Sequence, residues 1–123
     1  MIGEILCVGA GSFLGGVGRY LVSLAVKNAS GGFPWSTWVV NVAGALLLGF
    51  LSGFFVRSSV PSHWFNLFFA VGVCGGFTTF STFTKDALLL LQSGQYFAFV
   101  GYVLGSVVLG MIAIAVGWWL AKW

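Results

Sequence analysis

Charge is almost absent from the interior of this chain, and that absence decides what it can fold into. No Asp, Glu, Lys or Arg occurs between Arg19 and Lys27, from Asn28 to Val56, from Ser58 to Thr84, or from Ala87 to Ala121. A soluble domain carries about 25% charged residues, because its surface faces water. Here the share is 6%, against 59% hydrophobic residues in a chain of 123. A membrane-crossing helix needs roughly 20 predominantly apolar residues, and the spacing of the charges leaves room for several. The composition therefore specifies an all-α integral membrane protein.

The apolar runs predict four spans, at residues 2–26, 35–55, 64–91 and 96–120. They are joined by brief segments with turn chemistry, residues 28–34, 57–62 and 92–95, rich in Gly, Pro, Asn and Ser. Connections this short hold no soluble domain, so residues 1–123 read as one four-helix transmembrane domain. Trp35, Trp38 and Trp64, and at the far end Trp118, Trp119 and Trp123, fit interfacial aromatic belts. The N-terminus lacks the basic region and small-residue cleavage pattern of a signal peptide, so the first run reads as a permanent helix. Cys7 and Cys74 lie in apolar runs and read as packed small hydrophobes. Asn28-Ala29-Ser30 matches a glycosylation acceptor only as a three-residue pattern. The five basic residues are scattered singly, which gives no nucleic-acid footprint despite a net charge of +3.

Lys and Arg near alternate span ends set membrane orientation. Arg57 and Lys122 fall on one side, Lys27 and Lys85 on the other, with Arg19 inside the first span toward the Lys27 end. Such a small bias predicts insertion in both orientations. Each span also carries glycines four apart, Gly11/Gly15, Gly49/Gly53, Gly72/Gly76 and Gly101/Gly105. Pairs at this spacing let helix backbones approach closely in lipid, where there is no hydrophobic drive between helices. Four short spans have little interior of their own, so a pore is expected between protomers.

Within the third span the run Gly75-Gly76-Phe77-Thr78-Thr79-Phe80-Ser81-Thr82-Phe83 combines a glycine pair, four hydroxyls and three phenylalanines. This composition predicts a helix broken near midspan, starting at the glycine pair. Unwound chain at membrane depth survives only where it is buried in protein or lines a cavity. It presents bare backbone groups and half-helix dipoles, which is the chemistry of an ion site.

The remaining polar residues fall on the same theme. Thr37, Asn41 and Gly44 share one face of the second span. The Asn41 amide either donates to an anion without carrying charge or hydrogen-bonds a neighbouring helix. Phe80 and Phe83 share a face beyond the break, and they either pack or turn their positive ring edges toward an anion. Ser81, Thr82 and Thr84 interleave with them, and Tyr102 and Ser106 add hydroxyls from the fourth span. Arg19 either bonds helix ends or, with Thr37, draws anions to a vestibule. His63 stands in a loop with no triad or ligand partner in sight, and Glu4 and Asp86 fall at predicted span ends. No nucleotide loop, metal cluster or nucleophile–base pair is present, so the chain does not read as an enzyme.

Three blocks in order resemble one family, the small fluoride channels known as Fluc or CrcB, over essentially the whole chain. They are Gly15-Gly16-Val17-Gly18-Arg19-Tyr20, then residues 37–44 around Asn41, then residues 72–83 across the predicted break. The resemblance implies an antiparallel, dual-topology homodimer with two fluoride pores, exporting fluoride passively across the bacterial inner membrane. It implies a structural sodium ion at the dimer interface, held by backbone carbonyls at positions matching Gly75 and Thr78. It places Asn41, Phe80, Phe83, Ser81, Thr82, Tyr102 and Ser106 on the fluoride pathway. One departure shortens the expected polar track on the fourth span: Gly110 and Ile114 stand where many relatives carry hydroxyls. The competing reading is a small dual-topology multidrug exporter. That class needs a glutamate near the middle of its first helix, and the only glutamate here is Glu4.

Overall fold

The computed structural model describes residues 1–26, 33–57 and 63–121, which form four helices long and apolar enough to cross a membrane. Lys27, the Asn28-Ala29-Ser30 triplet, the 58–62 connection, the Arg57 side chain, Lys122 and Trp123 lie outside that description. The first span is α1, Ile2–Ala25, and the second is α2, Trp35–Arg57. The third divides into α3, residues 63–77, and α4, Ser81–Gln92. The fourth is α5, Tyr96–Leu120. Every expected span is present, with ends within one or two residues of the sequence reading.

Two close helix pairs organise the bundle, α1 with α3 and α2 with α5. Both are made by missing side chains. A Cβ at Gly15 would run into the Val73 carbonyl, and one at Gly76 would lie 2.6 Å from the Ser12 carbonyl oxygen. On the other pair, a Cβ at Gly49 would strike the Ile114 carbonyl and one at Gly117 the Leu46 carbonyl. Three of the four glycine pairs of the sequence therefore mark backbone contact, as small-residue packing in lipid requires. The fourth does not. Nothing lies within 4 Å of a Cβ built at Gly101, and α5 instead turns buried Ala113 and Gly117 toward α2. A glycine pair signals close approach only on the face that meets a neighbour.

The third span changes partner halfway. Its first half lies along α1, whereas α4 lies against α5. Residues Asn66–Cys74 wind as a π-helix directly before the last α-helical turn, Gly75–Phe77. Such wide turns are rare and cluster at functional sites. The break itself corrects the sequence reading. Gly75 is helical, at φ −62° and ψ −39°, and helix persists to Phe77. The chain unwinds at residues 78–80, where Thr78 turns extended at φ −88° and ψ 161°. Gly76 serves close packing on Ser12, while the two threonines carry the change of direction.

At the other end of α4 the chain reverses in a tight turn. Gly94 takes φ +76°, the Gln95 amide donates to Leu90 O at 3.0 Å, and the Gly94 amide donates to Leu91 O at 3.2 Å. This is the double bond pattern that ends a helix on a left-handed glycine. It sets α4 back against α5 around a small core of Ala87, Leu90 and fully buried Tyr102. Trp38 packs on this core rather than standing in an outer belt. Large apolar side chains such as Phe13, Phe97 and Met111 stay exposed around the bundle, which water would not tolerate and lipid does.

Candidate functional site

The unwound residues are held by one side chain. Asn41 Nδ2 donates to Thr79 O at 3.0 Å, and its Oδ1 accepts from the Thr79 amide at 2.8 Å. Both backbone groups of Thr79 are thereby satisfied by α2, so the break costs no unpaired group there. Thr78 turns back on its own helix, with its amide and hydroxyl bonded to Cys74 O at 3.0 and 2.9 Å. Thr79 Oγ1 accepts from the Thr82 amide at 3.2 Å and starts α4. The positive end of the α4 dipole thus faces the break.

These bonds have a consequence for two carbonyls. In an unbroken helix the Thr79 amide would bond Gly75 O, and the Thr82 amide would bond Thr78 O. Here the first amide goes to Asn41 and the second to Thr79 Oγ1. Gly75 and Thr78 therefore keep carbonyl oxygens without their helical donors, and both residues line an open cavity. A Cβ on Gly75 would meet nothing within 4 Å, so this face of the chain is uncovered.

That cavity measures about 430 Å³ and brings Asn41, Thr79, Phe80, Phe83 and Ser106 together. Phe80 is 76% exposed, with its ring centroid 6.0 Å from that of Phe83. Ser106 Oγ is buried without a hydrogen-bond partner among the described residues. Of the α5 residues on the wall, Ser106, Val107 and Ile114, only Ser106 carries a hydroxyl. Ile114 lines the same wall without a hydroxyl, and Gly110 is not part of the lining.

A second cavity, of about 200 Å³, lies on the other side of Thr79 and is lined by Arg19, Ser36, Thr37 and Thr82. Arg19 Nε is buried without a hydrogen-bond partner among the described residues. Ser81 is exposed at the head of α4 and belongs to neither cavity.

Tyr102 and Thr37 meet at a residue that sequence reasoning passed over. Thr37 Oγ1 donates to Asp86 Oδ2 at 2.8 Å, and Tyr102 Oη reaches the same oxygen at 3.4 Å. Phe83 stacks at a tilt on Tyr102, centroids 5.1 Å apart, which joins this cluster to the first cavity. Asp86 lies within α4, half-buried, and not at a span end. The signal was available: a carboxylate inside an apolar span is expensive and marks function. His63 also has a partner after all, since its Nε2 stands 3.3 Å from Glu4 Oε2 across α1 and α3. Residues 59 positions apart give no such hint in sequence. Cys74 is buried as expected, and Cys7 rests its sulfur against Trp64 O.

The comparison with known proteins follows the same residues. Positions 6–118 match the family model described as CrcB-like protein, Camphor Resistance (CrcB). A relative from Chlorobium luteolum named fluoride-specific ion channel FluC is 48% identical, covering 97% of this chain and 92% of its own. Relatives of the same name from Rhizobium meliloti and Bacteroides fragilis are 45% and 43% identical, over 93% and 97% of this chain and 92% and 96% of theirs. A family match across both halves of the broken span and all four helices settles the grouping: this chain is a multi-pass membrane protein of the CrcB family.

Proposed function

We propose that this chain is a fluoride-selective channel, passively exporting fluoride across the bacterial inner membrane as an antiparallel, dual-topology homodimer. The observation that carries the reading is the broken span. Two phenylalanines, several hydroxyls and one bracing amide gather around an open cavity at the interruption of an apolar span. Relatives across the family bear the name of a fluoride-specific channel, which supplies the ion.

Fluoride is small and holds its water tightly, so a pathway must replace that water with several modest donors. Arg19 draws the anion into the smaller cavity beside Thr37 and Thr82. The edges of Phe80 and Phe83, the free Asn41 N–H and the Ser106 hydroxyl take over in the larger one. None of these carries full charge, and conduction depends on weak, multiple sites. Fluoride efflux from vesicles holding the purified protein tests the reading.

The exporter alternative is set aside. Glu4 sits at the start of α1 beside the Met1 amine and His63, not at the middle of a helix. It offers no buried carboxylate on the first span for coupled transport.

An open, apolar-walled cavity at membrane depth needs a cover, and a second copy turned upside down is the cover we propose. Both orientations must then coexist in the membrane. A cysteine placed at Gly94, in the α4–α5 turn, is expected to react with membrane-impermeant label from both faces in similar amounts. Labelling from one face alone contradicts the antiparallel arrangement.

The freed carbonyls of Gly75 and Thr78 fit a bound sodium ion at that interface. Their donors are diverted to Asn41 and Thr79, and the Gly75 face is open. Two copies would present four such oxygens, the ligand type that hard cations and unwound membrane helices favour. When bound, sodium would offset the cost of burying unpaired acceptors. Scrupulously sodium-free buffer is expected to lower dimer stability and efflux together; unchanged values for both would exclude a bound ion.

A further inference from the structure

We propose that Asp86 sets the selectivity of this pathway by competing with the permeating anion for the hydroxyl proton of Thr37, while Tyr102 steadies the carboxylate. The proposal rests on the channel reading above and adds a residue to it.

A hydroxyl has one proton to give. Thr37 gives its proton to Asp86 Oδ2 at 2.8 Å, and Tyr102 aims at the same oxygen from 3.4 Å. Two donors converging on one carboxylate oxygen are arranged around an acceptor, and hydrogen bonds to an ionised acceptor are about twice as strong as neutral ones. Both hydroxyls are deeply buried, Thr37 at 6% exposure and Tyr102 at 0%, so neither proton is readily lent to water. Thr37 also lines the Arg19 cavity. An anion drawn there by Arg19 finds the Thr37 proton already committed to Asp86. The Asp86 carboxylate repels the anion as well.

Passage then requires the anion to take a proton bond away from a carboxylate. Among halides, fluoride alone is a hydrogen-bond acceptor of comparable strength; chloride is larger, softer and a much weaker acceptor. Thr37, with its single rotatable hydroxyl, can swing from Asp86 to fluoride and back. Tyr102 holds its proton near Asp86 throughout and limits how far the carboxylate must be left unpaired. The repulsive group is therefore the specificity device, because it raises the barrier for every anion and fluoride alone recovers the cost. The looser Tyr102 contact suits this exchange better than a second tight bond would, since a carboxylate held firmly by two donors would yield neither.

The same geometry explains why a carboxylate is present in an anion pathway at all. Asp86 stands three residues from Phe83 and four from Thr82, on the face of α4 that meets α2 and α5. A purely structural brace between those helices could be made by an uncharged amide, which avoids the cost of a charge at membrane depth.

Asp86→Asn keeps the shape, still accepts through one oxygen, and removes both the charge and the strong acceptor. In vesicles loaded with fluoride or chloride, the variant is expected to raise the chloride-to-fluoride flux ratio at least about tenfold, equal to ~1.4 kcal/mol of lost discrimination. A brace that merely holds helices together would change both fluxes and leave their ratio alone, so an unchanged ratio overturns the proposal. Thr37→Val reads the donor's side should the asparagine variant fail to assemble. Fluoride flux is then expected to fall at least about tenfold with no gain for chloride, and parent-like fluoride flux overturns the proposal. The parent protein in the same vesicles separates this from the channel reading itself: no fluoride efflux from the parent refutes that reading, whatever Asp86 does.

Discussion

Replacing Phe80 or Phe83 with isoleucine is expected to cut fluoride efflux about tenfold or more while the purified protein elutes as the parent does. Isoleucine preserves apolarity and most of the bulk but has no ring quadrupole, so the change separates coordination from packing. A tenfold loss needs only ~1.4 kcal/mol of added barrier, and aromatic quadrupole contacts supply about 0.5–1.5 kcal/mol each. Phe80 is the cleaner probe. Its ring is 76% exposed in the single chain and packs on little besides Phe83, so its removal costs the fold almost nothing. Phe83 also stacks on Tyr102 and on the small core beneath α4, so its isoleucine variant combines a stability loss with the loss of flux. Parent-like efflux from both variants would make these rings packing residues and leave the larger cavity without its anion ligands.

Asn41→Asp is expected to abolish efflux and to destabilise the protein, for two separable reasons. The amide now gives one bond and takes one from Thr79. An aspartate could still accept from the Thr79 amide, but its second oxygen would face the Thr79 carbonyl, acceptor against acceptor. Leaving a buried acceptor without its donor costs about 1–3 kcal/mol. The added negative charge would also line the larger cavity, the proposed path of the anion. Asn41→Leu distinguishes the two effects, because it removes both Thr79 bonds and adds no charge. Thermal unfolding in detergent should fall for both variants relative to the parent. A leucine variant with the parent's unfolding temperature would show that the break stands without Asn41.

This last point bears on what the sequence could and could not reveal. The four spans were legible because length and apolarity alone specify them in lipid, and α5 matches the expected range residue for residue. The existence of a break was legible in residues 75–83, but its position was not. Glycine permits both unwinding and close contact, and only the neighbour decides which; Ser12 behind Gly76 made it contact. Asn41 was legible as a polar residue with two readings. The structure places it as a clamp on Thr79 that also lines the larger cavity, since an amide has donors to spare. Asp86 was passed over because it read as a residue near a span end, where a charge needs no partner; its bonds to Thr37 and Tyr102 depend on how α4 meets α2 and α5. Pairings such as Glu4 with His63 depend on how α1 meets α3, which no local pattern encodes.

The most direct measurement is anion release from liposomes reconstituted with the purified parent chain, followed by a fluoride-selective electrode with a potassium ionophore to balance charge. Vesicles loaded with potassium fluoride should empty rapidly on adding the ionophore, while matched vesicles loaded with potassium chloride should retain their contents. Fluoride held as tightly as in protein-free vesicles, or chloride released as fast as fluoride, would contradict the account.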